Sequence, residues 1–319
     1  MITVSYSKVS TYRGCPQSYH WDYVMRLEPR KASRPLSFGS DFHKLLECRA
    51  DDKKLSEAKQ GISDAYYDLT PQQQEDLGEN YLEELFQVFE DYQKRWSNAE
   101  LPDMTEHEFY LPLGKYKGED VMFHGIIDEL YFDKDTGVVS IIGEHKTFSQ
   151  KPDMSTLAMN QQVCLYAKAV EQEFGVMPTK VRWDYIKSTP AKEPIWLEKS
   201  QRFSEASNSN ITPYSWLRAC KERRIEDKAV LSKSKLYEPN IDNFFFRCEM
   251  DIHPEMVEAI YRDFKATVKD MLAKGETNTT KHVSKNCAWC DYQPLCYGQF
   301  TGADLDYIIT KDYINKENK

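Results

Sequence analysis

The amino-acid sequence predicts a protein of the α/β class, and three features lead to this expectation. Apolar residues recur at helical spacing through much of the first hundred residues. Three strand-like segments follow between residues 106 and 148. A helical pattern and a further strand pattern then follow, up to residue 188. The chain has 319 residues, 40% of them apolar, and is long enough to bury a sizeable core.

The N-terminal part is predicted to be helical. Residues 5–23 form a helical entry, and a second helix is expected from about residue 40 to residue 50. Residues 51–105 are predicted to be a polar helical insertion. Five of its apolar side chains recur at helical spacing: Tyr81, Leu82, Leu85, Phe86 and Phe89. We interpret these positions as core packing rather than as a ligand site.

The central β region contains three predicted strands, EHEFYLPL, VMFHGIIDELYFD and GVVSIIGEHKTF. The turn from Asp133 to Gly137 predicts that the last two strands form a hairpin. A helix over residues 157–174, the strands VRWDYIKS and NFFFRCEM, and a long helix starting PEMVEAIYRDF complete the pattern. Residues 190–240 form a basic insertion of unassigned structure. Residues 301–319 are expected to be a loosely attached tail.

Composition restricts the class of protein. Aromatic residues make up 13% of the chain, too many for a disordered chain. No stretch approaches the roughly 18 apolar residues that a membrane helix needs. The N-terminus lacks the basic region and apolar run of a secretory signal. We therefore expect a cytoplasmic protein without a membrane partner.

The net charge of −9 argues at first against a nucleic-acid partner, but the charge is unevenly distributed. Residues 49–145 carry nine basic and 23 acidic side chains, whereas residues 180–235 carry 13 basic and seven acidic ones. A DNA backbone needs a local positive track rather than a positive total. The candidate DNA-binding cations in the second segment are Arg218, Lys221, Arg223 and Arg224. The alternative is that they form an ordinary solvated helix face.

Eight cysteines are present, and three of them form a recognisable pattern. Cys287, Cys290 and Cys296 have the spacing C-x2-C-x5-C, which suits chelation of one metal centre by thiolates. Cys15, which precedes a proline, is the candidate for a fourth ligand. The remaining four cysteines are interpreted as small core residues. Disulfides are not expected in a reducing compartment.

The predicted hairpin brings acidic and basic groups together. When the hairpin is centred on Thr136, Asp128 lies opposite Glu144, and directly opposed residues have Cβ atoms about 5 Å apart. Two carboxylates at that distance repel each other unless a cation lies between them, and oxygen ligands suit Mg²⁺ or Mn²⁺. Lys146 lies on the same strand face as Glu144 and can position or deprotonate a water. The alternative is an exposed Glu–Lys–Asp patch on a sheet.

Three further residues are candidates for the same site. His43 lies in the first turns of a predicted helix, where its imidazole can bind the metal. Alternatively it forms an i,i+4 pair with Glu47. Gln162 and Tyr166 share one face of the helix after the hairpin, where an amide and a phenol can contact a nucleotide. Each is otherwise an ordinary hydrogen-bonded helix residue.

The ordered set of these residues resembles the RecB-like branch of the PD-(D/E)XK nuclease superfamily. More narrowly, it is similar to the iron–sulfur subgroup that includes AddB-type nucleases and CRISPR-associated RecB-like exonucleases. The motifs that carry the resemblance are Ser5…Cys15-Pro16…Tyr19, Gly39…His43, Gly125-Ile-Ile-Asp128, Glu144-His-Lys146, Gln162…Tyr166 and the cysteines 287, 290 and 296. The sequence contains no helicase motif.

The resemblance implies a restriction-endonuclease-like core, in which helices flank a central mixed sheet, and a C-terminal iron–sulfur region within one domain of residues 1–300. It implies that Mg²⁺ or Mn²⁺ is bound by His43, Asp128, Glu144 and the backbone carbonyl of His145. Lys146 would serve the hydrolytic water. Gln162 and Tyr166 would contact DNA.

By the same resemblance, the four patterned cysteines would hold a 4Fe–4S cluster, with Zn²⁺ as the alternative occupant. The implied function is a metal-dependent exonuclease acting on DNA ends or single strands in a prokaryotic or phage-infected cell, with a helicase or recombination protein as a possible partner. Two other functions stay open. In the first, the chain is a non-catalytic DNA-binding or assembly subunit. In the second, it is a binding module held together by zinc, with no nuclease role.

Overall fold

The computed structural model describes residues 1–204 and 208–316 and contains a six-stranded mixed sheet. The strands in chain order are β1 (Ile2–Val4), β2 (Leu27–Pro29), β3 (Met104–Tyr116), β4 (Glu119–Phe132), β5 (Val139–Phe148), β6 (Lys180–Lys187), β7 (Trp196–Leu197), β8 (Arg202–Phe203), β9 (Phe245–Asp251) and β10 (Tyr313–Asn315). The three strands predicted for the central β region are confirmed as β3, β4 and β5.

Helices precede and follow the strands of the central region. In chain order they are α1 (Tyr6–Gly14), α2 (Pro16–Tyr19), α3 (Arg34–Glu47), α4 (Asp52–Tyr67), α5 (Pro71–Leu77), α6 (Tyr81–Arg95), α7 (Gln161–Phe174), α8 (Pro213–Glu222), α9 (Lys228–Ser232), α10 (Pro254–Lys274), α11 (Gln293–Thr301) and α12 (Leu305–Asp312). A π-helical turn covers His20–Val24, and 3₁₀ segments cover Met154–Met159, Lys233–Asn243 and Lys285–Trp289.

The main sheet has the order β3, β4, β5, β6 and β9, with β1 beside the beginning of β4. β1 pairs with β4 and β5 pairs with β6 in parallel, and the other neighbours are antiparallel. Helix α7 is the crossover between parallel strands β5 and β6. No helix in the described part of the chain is long and apolar enough to span a membrane.

Helices cover both faces of this sheet, as the predicted fold class requires. On one face α1, α7 and α10 contribute to an apolar cluster that includes Val9, Leu165 and Phe264. On the other face α3 and the insertion helices α4 to α6 form a second cluster that reaches Ile186 of β6 and Phe245 of β9. The sheet is therefore the middle layer, and the 51–105 insertion is one of its outer layers.

The hairpin register predicted from the turn is confirmed. Glu129 pairs with Gly143 and Leu130 with Ile142, the same alignment that places Asp128 opposite Glu144. An irregularity follows Tyr131, so the offset changes by one residue at the turn end of the hairpin. This irregularity lies closer to the turn than Asp128 and Glu144, so it does not change the predicted alignment of these two residues.

Helix α3 begins six residues before the predicted start at residue 40. Pro35 occupies its first turn, where a missing backbone N–H costs nothing. Phe38 and Phe42 are fully buried and stack on each other with ring centroids 5.8 Å apart. The buried stripe of this helix therefore starts before Gly39, which lies inside the helix.

The prediction of a loose C-terminal tail is wrong for residues 301–316. Helix α12 is followed by β10, which pairs antiparallel with β2. Tyr313 is 3% exposed and stacks on Tyr292. The burial of this aromatic pair, together with the strand pairing, attaches the segment to the N-terminal region. Residues 317–319 lie outside the described residues.

The 190–240 insertion has a small core of its own. β7 pairs with β8, and α8 packs with the 3₁₀ segment Lys233–Asn243. Trp216 is 1% exposed and lies between Phe203 and Tyr237. Its indole N–H donates to the Val230 carbonyl at 3.0 Å. The charged and Ser/Asn-rich sequence thus encloses an aromatic cluster.

Candidate metal and catalytic site

The site lies where two neighbouring strands separate. β4 pairs with β5 up to Glu129 and Gly143, and β1 lies beside β4 near its other end. Past that pair, the His145 backbone N–H donates to the Asp128 carboxylate (Oδ2) at 2.7 Å. The Asp128 side chain thus accepts a hydrogen bond from the backbone of β5 beyond the last paired residues of the two strands. Its carboxylate therefore lies in the gap between β4 and β5.

Three side chains converge on this gap. His43, Glu106 and Asp128 each offer one ligand atom, and the three atoms lie within 4.8 Å of one another. His43 Nδ1 is 3.6 Å from Asp128 Oδ1. The centroids of the His43 and His145 rings lie 5.9 Å apart, and the His145 backbone N–H donates to the same Asp128 carboxylate. The structure thus brings His43, Asp128 and the His145 backbone together, as the sequence analysis expects.

Glu106 is the member of this group that the sequence analysis does not single out. Its neighbours on β3 pair regularly, Thr105 with Glu129 and His107 with Ile127, so Glu106 faces Asp128. Its φ of 49° is in the left-handed region, which is uncommon for a residue other than glycine. Residues with strained backbone conformations persist only where the surrounding structure holds them in place, and they cluster at functional sites.

Glu144 and Lys146 occupy the adjacent part of β5. Glu144 is 2% exposed, and Lys146 Nζ donates to its Oε1 at 2.5 Å. The other oxygen, Oε2, is buried without a hydrogen-bond partner among the described residues. A buried carboxylate oxygen is normally satisfied, so this orphan acceptor points to a missing partner such as a cation. Glu144 is adjacent to the 4.8 Å group formed by His43, Glu106 and Asp128 but is not part of it.

The crowding of carboxylates raises their proton affinity. Burial, and next the Asp128 charge, raise the pKa of Glu144 to about 7. The same two causes raise the pKa of Glu106 to about 7. Burial also raises the pKa of Asp128 and, together with nearby His145, lowers the pKa of His43 to about 4. Raised carboxyl pKa values and a lowered imidazole pKa are expected where several metal ligands are buried close together with no cation between them.

Lys146 remains a cation in this arrangement. Burial lowers its pKa, but the Glu144 and Asp128 carboxylates outweigh burial and raise the pKa above its ordinary value. An ammonium group donates hydrogen bonds and does not accept a proton. The geometry therefore favours a Lys146 that orients a water or stabilises an anionic oxygen over one that acts as a base.

Helix α7 places two further predicted residues beside Lys146. Gln162 Oε1 lies 3.4 Å from Lys146 Nζ, and Gln162 Nε2 donates to the Tyr166 hydroxyl at 2.7 Å. The Asn160 side chain caps the start of this helix by accepting from the Val163 backbone N–H. The side chains of Tyr166 and Gln162 therefore form a hydrogen-bonded row that ends at Lys146.

Gly125, three residues before Asp128, permits this close packing. A Cβ there would lie 2.6 Å from the Phe109 ring and 3.2 Å from the Tyr166 ring. Any side chain at this position would push β4 away from α7. The glycine of the Gly125-Ile-Ile-Asp128 motif therefore keeps the strand that carries Asp128 close to the Gln162–Tyr166 row.

The side chain of His145 belongs to a buried charge network behind the site. Its Nε2 is 3.0 Å from Glu129 and its Nδ1 is 3.5 Å from Asp184, and all three residues are 3% exposed. Burial lowers the pKa of His145, but the two carboxylates outweigh burial and raise it to about 10. Arg49 pairs with Glu129 at 2.7 Å, and Arg247 pairs with Asp184 at 2.8 Å.

The helical insertion closes this network. Tyr92 of α6 is 1% exposed and donates to Asp184 at 2.6 Å, and it accepts from Arg49 and Arg247 at 3.2 Å each. The network therefore links the turn after α3 with α6, β4, β5, β6 and β9, next to Glu144 and Lys146 of β5. This contact gives the 51–105 insertion a structural role at the site.

Replacing Tyr92 with phenylalanine is expected to lower the free energy of unfolding by about 1–3 kcal/mol, because buried Asp184 loses a hydrogen-bond donor. Urea unfolding of the purified variant measures this. Tyr66→Phe is the matched control, since its hydroxyl makes only a 3.3 Å hydrogen bond to the Gly78 carbonyl. Equal effects of the two substitutions would contradict a special role for the network.

The four predicted DNA-binding cations of the basic insertion lie on α8 and just after it. Arg218 is engaged with Asp91 of α6 at 3.3 Å and with Glu193 at 3.4 Å. The Arg223 guanidinium lies 4.3 Å from the Trp196 ring centroid. Lys221 and Arg224 are exposed. Arg218 thus docks the basic insertion onto the helical insertion.

The four patterned cysteines line one cavity of about 430 Å³. Cys15 lies between α1 and α2, Cys287 and Cys290 lie at the 3₁₀ segment Lys285–Trp289, and Cys296 lies on α11. No three of their sulfur atoms, in the described part of the chain, lie within 4.8 Å of one another. Burial raises the pKa of Cys290 and of Cys296. The structure thus joins the two ends of the chain at a thiol-lined cavity.

A mixed sheet between helices, with carboxylates, an imidazole and a lysine gathered where two strands diverge, is an arrangement of the α/β nuclease class. The chain belongs to the PD-(D/E)XK nuclease superfamily, because the model of that family matches residues 3–297. No curated protein matches the chain significantly.

Two solved structures are similar to the chain at a distance. The crystal structure of SSO0001 has 15% sequence identity and a TM-score of 0.37, with 92% of this chain and 85% of that chain covered. A candidate exonuclease from Eubacterium rectale has 11% identity and a TM-score of 0.45, with 89% and 86% covered. At these scores neither similarity bears on function.

Proposed function

We propose that this protein is a divalent-metal-dependent deoxyribonuclease that acts as an exonuclease on DNA ends or single strands. The observation that carries the proposal is the convergence of His43, Glu106 and Asp128 in the gap between β4 and β5, next to Glu144 and Lys146. Membership of the nuclease superfamily supports the reaction class. The preference for DNA ends or single strands and the iron–sulfur subgroup rest on the motif resemblance.

The donor set fits Mg²⁺ or Mn²⁺. Asp128, Glu106 and the free oxygen of Glu144 are hard ligands, and His43 adds one nitrogen. The carbonyl of His145 is available as a further oxygen donor. A bound divalent cation would polarise a phosphodiester and lower the pKa of a water, which is the chemistry that hydrolysis requires.

The chain's own residues would orient the reactants. Lys146, held as an ammonium beside Glu144, would donate to the attacking water or to a phosphate oxygen as negative charge develops. Gln162 and Tyr166 would hold the neighbouring part of the DNA, since their row ends at Lys146. Lys221 and Arg224 are the exposed candidates for backbone contacts farther away.

We also propose that Cys15, Cys287, Cys290 and Cys296 hold a 4Fe–4S cluster. A single tetrahedral Zn²⁺ with bonds of about 2.3 Å requires sulfur atoms about 3.8 Å apart. No three of the four sulfur atoms lie within 4.8 Å of one another, and the cavity of about 430 Å³ that the described cysteines line has room for a larger inorganic group. Zn²⁺ remains the alternative occupant, and elemental analysis distinguishes the two.

Divalent metal is expected to stabilise the protein more at about pH 8 than at about pH 5. Because the carboxyls of Glu106 and Glu144 have pKa values raised to about 7, their contribution to stability is present below their ordinary pKa and is lost as the pH rises through about 7. A cation binds the ionised forms and reverses that loss. At 100 times its Kd it adds about 2.7 kcal/mol.

Thermal melting with and without Mn²⁺ measures this difference. For a chain of this size the shift in Tm at the higher pH is about 5 °C. Asp128→Asn is the control and should remove most of the shift. An equal Mn²⁺ effect at both pH values would count against metal binding by these carboxyls.

The experiment that tests the function uses anaerobically purified protein and end-labelled single- and double-stranded DNA, with and without Mg²⁺ or Mn²⁺. Shortening of the labelled strands only in the presence of metal supports the proposal. Tight DNA binding without cleavage under every metal condition would instead favour a non-catalytic subunit. The labelled end that disappears first gives the polarity.

A further inference from the structure

A row of side chains crosses the sheet from Lys146 to the edge strand. Lys146 of β5 lies in register with Tyr185 of β6, and Tyr185 lies in register with Phe246 of β9. Residues in register on neighbouring strands project from the same face of a sheet, and neighbouring strands are about 4.8 Å apart. The Phe246 backbone is therefore about 10 Å from that of Lys146, and the two side chains share one face.

This row and the proposed metal site lie on opposite sides of β5. The sheet order places β4, which carries Asp128, on one side of β5 and places β6 and β9 on the other. Lys146 therefore lies between the metal carboxylate of β4 and the aromatic rings of β6 and β9. A nucleotide whose phosphate is held at Lys146 would have the metal ligands on one side and these rings on the other.

The rings form a stack that ends at the edge of the sheet. The Tyr185 and Phe246 rings have centroids 4.8 Å apart and an angle of 12° between their planes. Phe148 lies two residues after Lys146 on the same face of β5, and its ring meets the Phe246 ring edge-on at 5.7 Å. β9 is the outermost described strand on this side of the sheet. No further strand of the described chain therefore continues the stack.

The outer rings of this stack are accessible to solvent. Tyr185 is only 4% exposed, whereas Phe148 and Phe246 are both partly exposed. Three apolar side chains from α7 and the 3₁₀ segment before it pack against the same cluster: Val163, Met154 and Leu157. These contacts leave part of the Phe148 and Phe246 surfaces open. A partly open ring at the end of a stack can accept a further flat group.

A lysine without an ionic partner lies beside the Phe246 ring. Lys151 is exposed, and its Nζ is 5.0 Å from the centroid of that ring. It forms no ion pair within the described part of the chain. The carboxylate closest to it in sequence, that of Asp153, accepts from the Ser155 backbone N–H. An aromatic surface next to an unpaired cation suits a nucleotide, whose base stacks and whose phosphate is anionic. An apolar peptide would match the rings but not the cation.

We propose that the base of a nucleotide adjoining the scissile phosphate stacks on Phe246, with Phe148 at its edge and Lys151 beside its phosphate. This subsite rests on the proposed nuclease function and assigns a position to one base next to the reaction centre. A base must leave its duplex partner to reach such a ring, so the subsite takes an unpaired base. The protein would therefore act on single strands or on duplex ends that have opened.

The test removes one base at a time from a labelled single strand of about six nucleotides. Fluorescence anisotropy with Mn²⁺ measures binding in a Glu144→Gln background, so that no cleavage occurs. An abasic nucleotide at one position should weaken binding about tenfold, because one stacked base is lost. Phe246→Leu should weaken binding of the intact strand by a similar factor. It should also make binding insensitive to the abasic nucleotide at that position.

This comparison separates base stacking from a general packing defect. A defect in the fold of Phe246→Leu would weaken the intact and abasic strands equally and leave the sensitivity to base loss unchanged. Phe300→Leu is the matched control, because Phe300 also has a lysine close to its ring, with Lys281 Nζ at 5.3 Å, but lies on α11. It should change neither the affinity nor the effect of the abasic nucleotide.

Lys151→Ala is a second variant that leaves the aromatic packing intact. It should weaken binding of the intact strand and reduce the salt dependence of binding by about one ion, because one phosphate contact is lost. Lys265→Ala is its matched control, since Lys265 Nζ also lies 5.0 Å from an aromatic centroid, that of Tyr261 on α10. The salt dependence should be unchanged in this control.

Equal sensitivity of the parent and Phe246→Leu to base loss at every position would overturn the proposal. A change in oligomeric mass of Phe246→Leu without that difference would also overturn it and identify an interface between copies. Failure of the nuclease function is a separate result. In that case the wild-type protein would cleave no DNA with Mn²⁺, while base loss would still weaken binding in a manner that depends on Phe246.

Discussion

Lys146→Ala is expected to reduce Mn²⁺-dependent DNA cleavage by about 100- to 10,000-fold while the protein remains folded. Lys146 is the cation closest to Glu144, and its Nζ also contacts Gln162. Loss of a positioned group that orients the water or stabilises the developing charge acts on the transition state and not on folding. Initial rates on end-labelled DNA at saturating metal measure the effect.

The fold should not depend strongly on this lysine. Its removal leaves Glu144 buried with one partner fewer, but the pKa of that carboxyl is already raised, so it can remain protonated. Lys180→Ala is the matched control, because Lys180 is a strand lysine on β6 whose partner is Glu249. Circular dichroism should be unchanged in both variants. Full metal-dependent activity in a clean Lys146→Ala preparation would refute the site assignment.

The register of the β4–β5 hairpin was predictable from sequence because it depends on one local turn. The segment from Asp133 to Gly137 sets the alignment, and counting back from it gives the pairing of Glu129 with Gly143. Positions two apart on β5 then share a face, which relates Glu144 to Lys146. These relations need no knowledge of the rest of the chain.

Glu106 shows where such counting fails. The turn at Lys117 and Gly118 has positive φ at both residues, as two-residue hairpins require, and counting from it alone places Glu106 opposite Glu129. The structure places Glu106 opposite Asp128, because a bulge between Pro112 and Gly114 shifts the register by one residue. The turn was a usable signal for a third carboxylate near the site, but the bulge has no equally clear signature.

The network behind the site was not predictable, because its members are far apart in sequence. The approach of Tyr92 to Asp184 joins residues 92 positions apart, and Arg247 joins them from a further strand. The helical spacing of apolar residues along α6 predicts which side of the helix is buried, and Tyr92 is on that side. It does not predict that a buried tyrosine hydroxyl meets a charged cluster.

Cys290→Ala is expected to prevent assembly of the proposed 4Fe–4S cluster and to release the C-terminal segment from the N-terminal region. Cys290 lines the cavity with Cys15, and the Tyr292 hydroxyl close to it donates to the Leu27 carbonyl at 2.9 Å. Metal binding is coupled to folding where ligands come from distant parts of a chain. We therefore expect a colourless, less soluble protein with a region around α11, α12 and β10 that is open to protease.

Cys48→Ala is the matched control, since Cys48 is also partly exposed but lies at the end of α3, outside the cavity. The control protein should keep the brown colour, the iron content and the protease resistance of the parent. A colourless wild-type protein with one equivalent of zinc would replace the 4Fe–4S proposal with a zinc site. Retention of the full iron content and colour by Cys290→Ala would contradict a cluster that depends on this cysteine.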